Sequence, residues 1–155
     1  MVRFGVLKDV ESVNIIRKEV NDLHVHGKPD VFKPGFSEDM KEYLKNYANA
    51  RDKFFLVCEV NGVVCAYAMV NYVVKPETPY RFELKFLEIQ EIGTLKAMQG
   101  NGYGKKLVEK IKEIAVQYGI NRIELNMWTF NDDALKFYDS VGFKTYRRYL
   151  EWFND

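Results

Sequence analysis

The 155-residue chain has only two cysteines, two histidines and four prolines, and it has no long apolar run, internal repeat or net charge worth the name. Each shortage removes a class of explanation. Without a long apolar run there is no membrane-spanning helix to expect, and Met1 to Gly5 does not begin a secretory leader, so the chain reads as cytoplasmic. Twenty-three Lys and Arg against 22 Asp and Glu give a formal charge of +1. That balance offers no electrostatic footprint for nucleic acid or for an anionic membrane. His24 and His26 have no third ligand nearby, which speaks against a metal site. Two cysteines do not make a disulfide framework. Asn61-Gly62 is a two-residue hairpin turn, and pairing Val60 with Val63 sets Cys58 opposite Cys65. That spacing permits a disulfide, but a reducing cytosol favours two small buried thiols.

What is present suits one domain spanning residues 1–155, since 47% of the residues are hydrophobic and the length is that of a typical domain. Val2 to Leu7 reads as a strand, and Asp9 as the N-cap of a helix with Val13, Ile16, Val20 and Leu23 on one face. A Pro34-Gly35 turn leads to a helix from Ser37 to about Ala48. Strands follow over Lys53 to Val60 and Val63 to Val74, then a loop over Lys75 to Tyr80. The next strand starts near Phe82, but its apolar phase slips at Leu87 and Ile89 and again at Ile92. Either a bulge absorbs the slips or both faces are buried. Leu107, Val108, Ile111, Ala115 and Tyr118 form a helical stripe closed by Gly119. Arg122 to Phe130 reads as a strand, Asn131 as the N-cap of a helix through Val141, and Gly142 as the start of a last strand toward Trp152. This order gives an α/β or α+β sandwich with a mixed sheet.

The chemistry centres on Gln99-Gly100-Asn101-Gly102-Tyr103-Gly104, three glycines between a strand and an amphipathic helix. Glycine tolerates positive φ and close approach, and a helix start offers free N–H groups, so an anion is expected there. A Walker loop requires a glycine at Gln99 and a Ser or Thr at Lys106. A Rossmann fingerprint requires a glycine at Lys105. Neither fits. A turn that merely caps the helix is the plain alternative.

Gln99, Gly102 and Gly104 match Q/R-x-x-G-x-G/A, and Asn131 to Phe143 matches N-x-x-A-x-x-F-Y-x-x-x-G-F. Together these blocks resemble the GNAT acetyltransferase superfamily. The resemblance implies a mixed, mostly antiparallel sheet of about six to seven strands with about four helices, splayed between its fourth and fifth strands. It also implies acetyl-CoA as cosubstrate and no metal. Coenzyme contacts then fall on the main chain of Ile92, Gly93 and Thr94, on Gln99, Gly100, Asn101, Gly102, Tyr103, Gly104 and Lys105, and on Asn131. Family members often have Val at the position of Thr94 and Arg at that of Gln99, so Gln99 supplies hydrogen bonds without charge. The implied reaction is direct acetyl transfer in a ternary complex to a primary amine of a small molecule or peptide. A non-catalytic acetyl-CoA sensor uses the same slot, and many relatives pair as homodimers.

Tyr138 is the implied general acid, seven residues after Asn131 on the same helix face; packing in the apolar stripe of Ala134, Phe137 and Val141 is its alternative. Glu91 is the candidate base, with Glu88 and a water relay as competitors. The acceptor side is expected over Val20 to Tyr43 and Pro76 to Arg81, where His24, His26, Phe32 and Phe36 either line a pocket or are ordinary loop residues. Trp128 and Phe130 either wall the cleft or pack in the core.

Overall fold

The computed structural model describes residues 1–154 as one five-stranded sheet in the order β1-β2-β3-β4-β5. The strands are β1 (Val2–Phe4), β2 (Lys53–Val60), β3 (Val63–Lys75), β4 (Leu84–Thr94) and β5 (Ile123–Leu125). The first four run antiparallel, and β5 lies parallel to β4. Around them are α1 (Val10–Gly27), α2 (Glu38–Tyr43), α3 (Lys45–Ala48), α4 (Tyr103–Gln117) and α5 (Asp132–Ser140). Since α2 and α3 are one helix interrupted at Leu44, the described residues form four helices in all.

The alternation of β2 and β3 splits the core in two. Leu56, Ala66, Ala68 and Val70 meet Leu107 and Ile111 of α4 on one face. On the other, Phe55, Val57, Tyr67 and Met69 meet Val13 and Ile16 of α1. The hairpin between β2 and β3 turns at Asn61 (φ 50°) and Gly62 (φ 78°), the two positive angles that match strand twist in a two-residue turn. Ser37 accepts from Met40 N at 3.3 Å, and Asn131 Oδ1 from Ala134 N at 3.1 Å, so both act as N-caps. Asp9 does not. Its carboxylate instead holds Val6 N and the guanidinium of Arg3.

Four further expectations need correction. The sheet has five strands among the described residues, not six or seven. Arg122 to Phe130 contributes only the three residues of β5, and Gly142 to Trp152 forms no strand. That last segment uses its side chains instead of a backbone ladder: Tyr146 donates to Glu124 and Lys28 pairs with Glu151. Nor does Cys58 face Cys65. The register puts Cys58 opposite Ala66 and Glu59 opposite Val64, so Cys65 is the extra residue of a bulge. Both thiols are free and buried, and Cys65 Sγ donates to Cys58 O.

Candidate active site

A second bulge shapes the site. Val70 pairs with Ile89 but Met69 pairs with Glu91, leaving Gln90 as the extra residue of β4. An unbroken strand places residues 89 and 91 on one face; the bulge keeps Ile89 under α4 and turns Glu91 toward α1. Glu88, opposite Asn71, already faces α1. The phase slip in the sequence therefore puts both candidate carboxylates on the same side.

The pairing of β5 stops early. Leu125 is its last partner, opposite Ile89, while β4 continues to Thr94. From Gln90 to Thr94 one edge of β4 pairs with β3 and the other has no partner strand among the described residues. Main-chain groups on that edge are free to take an extended, amide-bearing ligand. Glycine at 93 is required by packing, because a Cβ there meets Val20 at 2.7 Å and Tyr67 at 2.9 Å.

The glycine loop lies just beyond this edge. Gly100 (φ 81°) and Gly102 (φ 77°) are left-handed, and a Cβ on either meets nothing within 4 Å. Gly102 is the N-cap of α4 and no side chain among the described residues caps that helix, so its first-turn amides are left without a capping partner. Asn101 folds back on Met98 O at 2.9 Å, bracing the turn, and Gln99 Nε2 reaches Thr94 O at 3.4 Å. Lys105 and Lys106 have no carboxylate partner among the described residues, and Lys106 lies over the ring of Tyr103. Gly104 has a separate role, since a Cβ there presses on Phe137 of α5 at 3.2 Å.

Tyr138 packs its ring against Phe137 and Phe143. Its hydroxyl has no hydrogen-bond partner among the described residues, and burial pushes its pKa up to about 12. Tyr67 donates to Glu91 Oε1, which Arg17 Nε also meets at 3.1 Å. Burial, and then the charge of Glu91, hold Tyr67 well above an ordinary tyrosine. Glu91 Oε2 has no partner among the described residues. Asn131 spends its oxygen on the cap of α5, and its amide nitrogen has no partner among the described residues.

Between α1, the segment before α2 and the β4 bulge lies a cavity of about 310 Å³. His24, Phe32, Phe36 and Trp128 line it together with both carboxylates, whereas His26 lies outside and the loop over Pro76 to Arg81 contributes nothing. Asn21 and Met40, from the segment expected on the acceptor side, line it too, as do Arg17, Gln90 and Asn126, which sequence reasoning passed over. One of them left a signal. Arg17 sits four residues after Val13 and three before Val20, a cation inside an apolar stripe. It is buried, held by Glu91, by Asn14 Oδ1 at 3.0 Å and by Met40 O at 2.6 Å. Among the described residues no cluster of three His, Cys, Asp or Glu is placed to hold a metal, and no helix is long and apolar enough to cross a membrane.

A family profile described as Acetyltransferase (GNAT) family matches residues 18–143. An uncharacterized N-acetyltransferase of Lactobacillus delbrueckii subsp. lactis is 28% identical over 123 residues, 73% of this chain and 69% of that protein. The crystal structure of a mutant of the BH1408 protein from Bacillus halodurans superposes with a TM-score of 0.94 at 23% identity, covering 98% of each chain. Aminoglycoside N-acetyltransferase AAC(6')-Iy, solved with the bisubstrate analog CoA-S-monomethyl-acetylneamine, gives a TM-score of 0.75 at 14% identity over 100% of this chain and 97% of that one.

Proposed function

The chain belongs to the acetyltransferase (GNAT) family, and from that premise we propose that it is an acetyl-CoA-dependent N-acetyltransferase transferring acetyl directly to a primary amine in a ternary complex. The observation that carries the proposal is the junction of two open features: the unpartnered edge of β4 from Gln90 to Thr94 and the uncapped start of α4. The residues fit the coenzyme. Amides from Gly100 to Lys105 suit its pyrophosphate, with Gln99 and Lys105 beside them, while the main chain of Ile92, Gly93 and Thr94 suits its amide-bearing arm. Asn131 adds its side-chain nitrogen. When bound, acetyl-CoA supplies a thioester whose acetyl carbon bonds the amine nitrogen as the carbon–sulfur bond breaks.

Two protons must then move. Tyr138 holds one for the departing sulfur, and its raised pKa keeps the phenol protonated throughout the neutral range. The amine arrives as an ammonium, because such groups have pKa values near 10.4. Glu91 takes one of the nitrogen's protons through Oε2, directly or through water, while Arg17 and Tyr67 fix the other oxygen; the second N–H proton, lost as the amide forms, restores the phenol that has protonated the sulfur. Glu88 lines the same cavity and holds the ammonium in place. The alternative, a sensor that binds acetyl-CoA without turnover, shares the coenzyme residues but not this proton chemistry.

Titration calorimetry with coenzyme A and thiol release over an amine panel separate the two. Binding with amine-dependent release is expected. Binding without release under any amine leaves the sensor, and absence of binding removes both.

A further inference from the structure

The acceptor cavity has a charge and a wall that select its occupant. Glu91 is neutralised by the buried Arg17. Glu88 has no cationic partner among the described residues and is held only by Asn71 Nδ2 at 3.2 Å. The cavity therefore carries one uncompensated negative charge. One wall is aromatic, facing a polar side of Asn21, Gln90 and Asn126: Phe32 meets Trp128 edge-on at 5.2 Å and His24 at 5.0 Å, and Trp128 is backed by Phe130 at 6.4 Å. Since His24 Nδ1 donates to Val20 O at 2.8 Å, that imidazole edge is committed to the backbone. Phe36 is taken up by the Arg17 guanidinium, 5.5 Å from its ring. Phe32, Trp128, Met40 and Val20 supply the apolar lining that is not taken up in this way. A volume of about 310 Å³ stands at the small end of ligand pockets.

Resting on the acetyltransferase reading, we propose that the acceptor is a small monoamine with a flat apolar body, an arylalkylamine in chemical class, anchored by Glu88 and walled by Trp128 and Phe32. One carboxylate balances one ammonium. A second or third ammonium, as in an aminoglycoside or a linear polyamine, finds no second carboxylate free of a cation, since Glu91 is already paired with Arg17, and gives up hydration without full return. A ring on the monoamine replaces that penalty with stacking on Trp128, and its ammonium gains from the ring faces as well as from Glu88.

The test uses the full chain with acetyl-CoA and follows thiol release with phenethylamine, spermidine and neamine. Phenethylamine is expected to exceed the other two in kcat/KM by at least about a hundredfold, the scale of two lost ammonium contacts. Trp128→Ala and Glu88→Gln should each lower the phenethylamine value about tenfold, with circular dichroism to show that both variants fold. Equal or faster turnover of neamine or spermidine overturns the proposal and leaves the acetyltransferase reading standing. No release with any amine overturns that reading. The charge and size selection is also read without turnover, by titrating phenethylamine and neamine into the chain saturated with coenzyme A. Tighter binding of phenethylamine supports the proposal; tighter binding of neamine, or no binding of phenethylamine, overturns it.

Discussion

Tyr138 combines two properties that rarely coincide by accident of packing: a ring clamped by Phe137 and Phe143, and a hydroxyl with no partner among the described residues. Replacing it with Phe keeps the ring contacts, so coenzyme A affinity by calorimetry should stay within about twofold while kcat falls at least about tenfold. An unchanged kcat removes Tyr138 from the chemistry. The pH profile gives a second reading. The active form of an acid is the protonated one, present below its pKa. Burial moves that limit from near 10 to about 12, so kcat should show no phenolic downturn up to about pH 10. A fall beginning near pH 9 is incompatible with this assignment. The residue pattern alone made Tyr138 visible through its N-x-x-A-x-x-F-Y setting, but it left Glu91 and Glu88 unresolved. Only the ladder that makes Gln90 the bulged residue decides where each points, and that depends on partners about 20 residues away on β3.

Elements whose periodicity is local were legible. The stripe of α4, the Asn-Gly hairpin and the Ser37 and Asn131 caps are all set by neighbours within a turn. What failed was long-range pairing. The aromatic run from Tyr146 to Phe153 has strand propensity, yet its side chains reach Glu124 and Lys28 and no ladder forms. Cys58 and Cys65 were misaligned by one residue for the same reason, a bulge that no local rule announces. At the start of α4, conformation and ligand approach can be separated. Gly102 has φ 77° and open space around it, so Gly102→Ala costs stability only through backbone strain, about 1 kcal/mol. Gly102→Val adds a branched side chain on the face proposed for the coenzyme and should abolish coenzyme A binding in calorimetry. Retained affinity in the Val variant means the loop is not the cradle.

Across the whole molecule, the N-terminus is tied to the sheet by a charge cluster that the sequence did not reveal. Arg3 bridges Asp9 at 2.8 Å and Glu59 at 2.6 Å, joining β1, the start of α1 and β2. The Arg3 guanidinium holds the buried Asp9 carboxyl below its ordinary range. A carboxylate with a depressed pKa in the folded state stabilises above its unfolded pKa near 3.9 and loses that contribution as pH falls through the folded value. Denaturant midpoints should therefore drop from about pH 5 to pH 3 in the wild type and drop less in Asp9→Asn. At neutral pH that variant should itself be less stable by about 1 kcal/mol, because the charge-assisted hydrogen bonds to Asp9 weaken while Arg3 keeps Glu59. Equal midpoints for the two proteins at pH 7 leave the cluster without a structural role.

The same sheet that is fastened at β1 is left open at its other side among the described residues, and in the proposed reading this asymmetry makes room for the coenzyme. A parallel strand that pairs with only three residues of β4 leaves the remaining edge without protection, and amides on such an edge exchange freely with solvent. If an extended arm adds there as a strand, the amides of 90–94 that face away from β3 gain a hydrogen-bonding partner. Hydrogen–deuterium exchange with and without coenzyme A tests this directly. Protection should rise at least about tenfold over 90–94 and over the first turn of α4, while the β2–β3 hairpin, already paired, should not change. Protection confined to α4 means that the loop binds phosphate but the open edge takes no arm. The slot is then not the path to Tyr138.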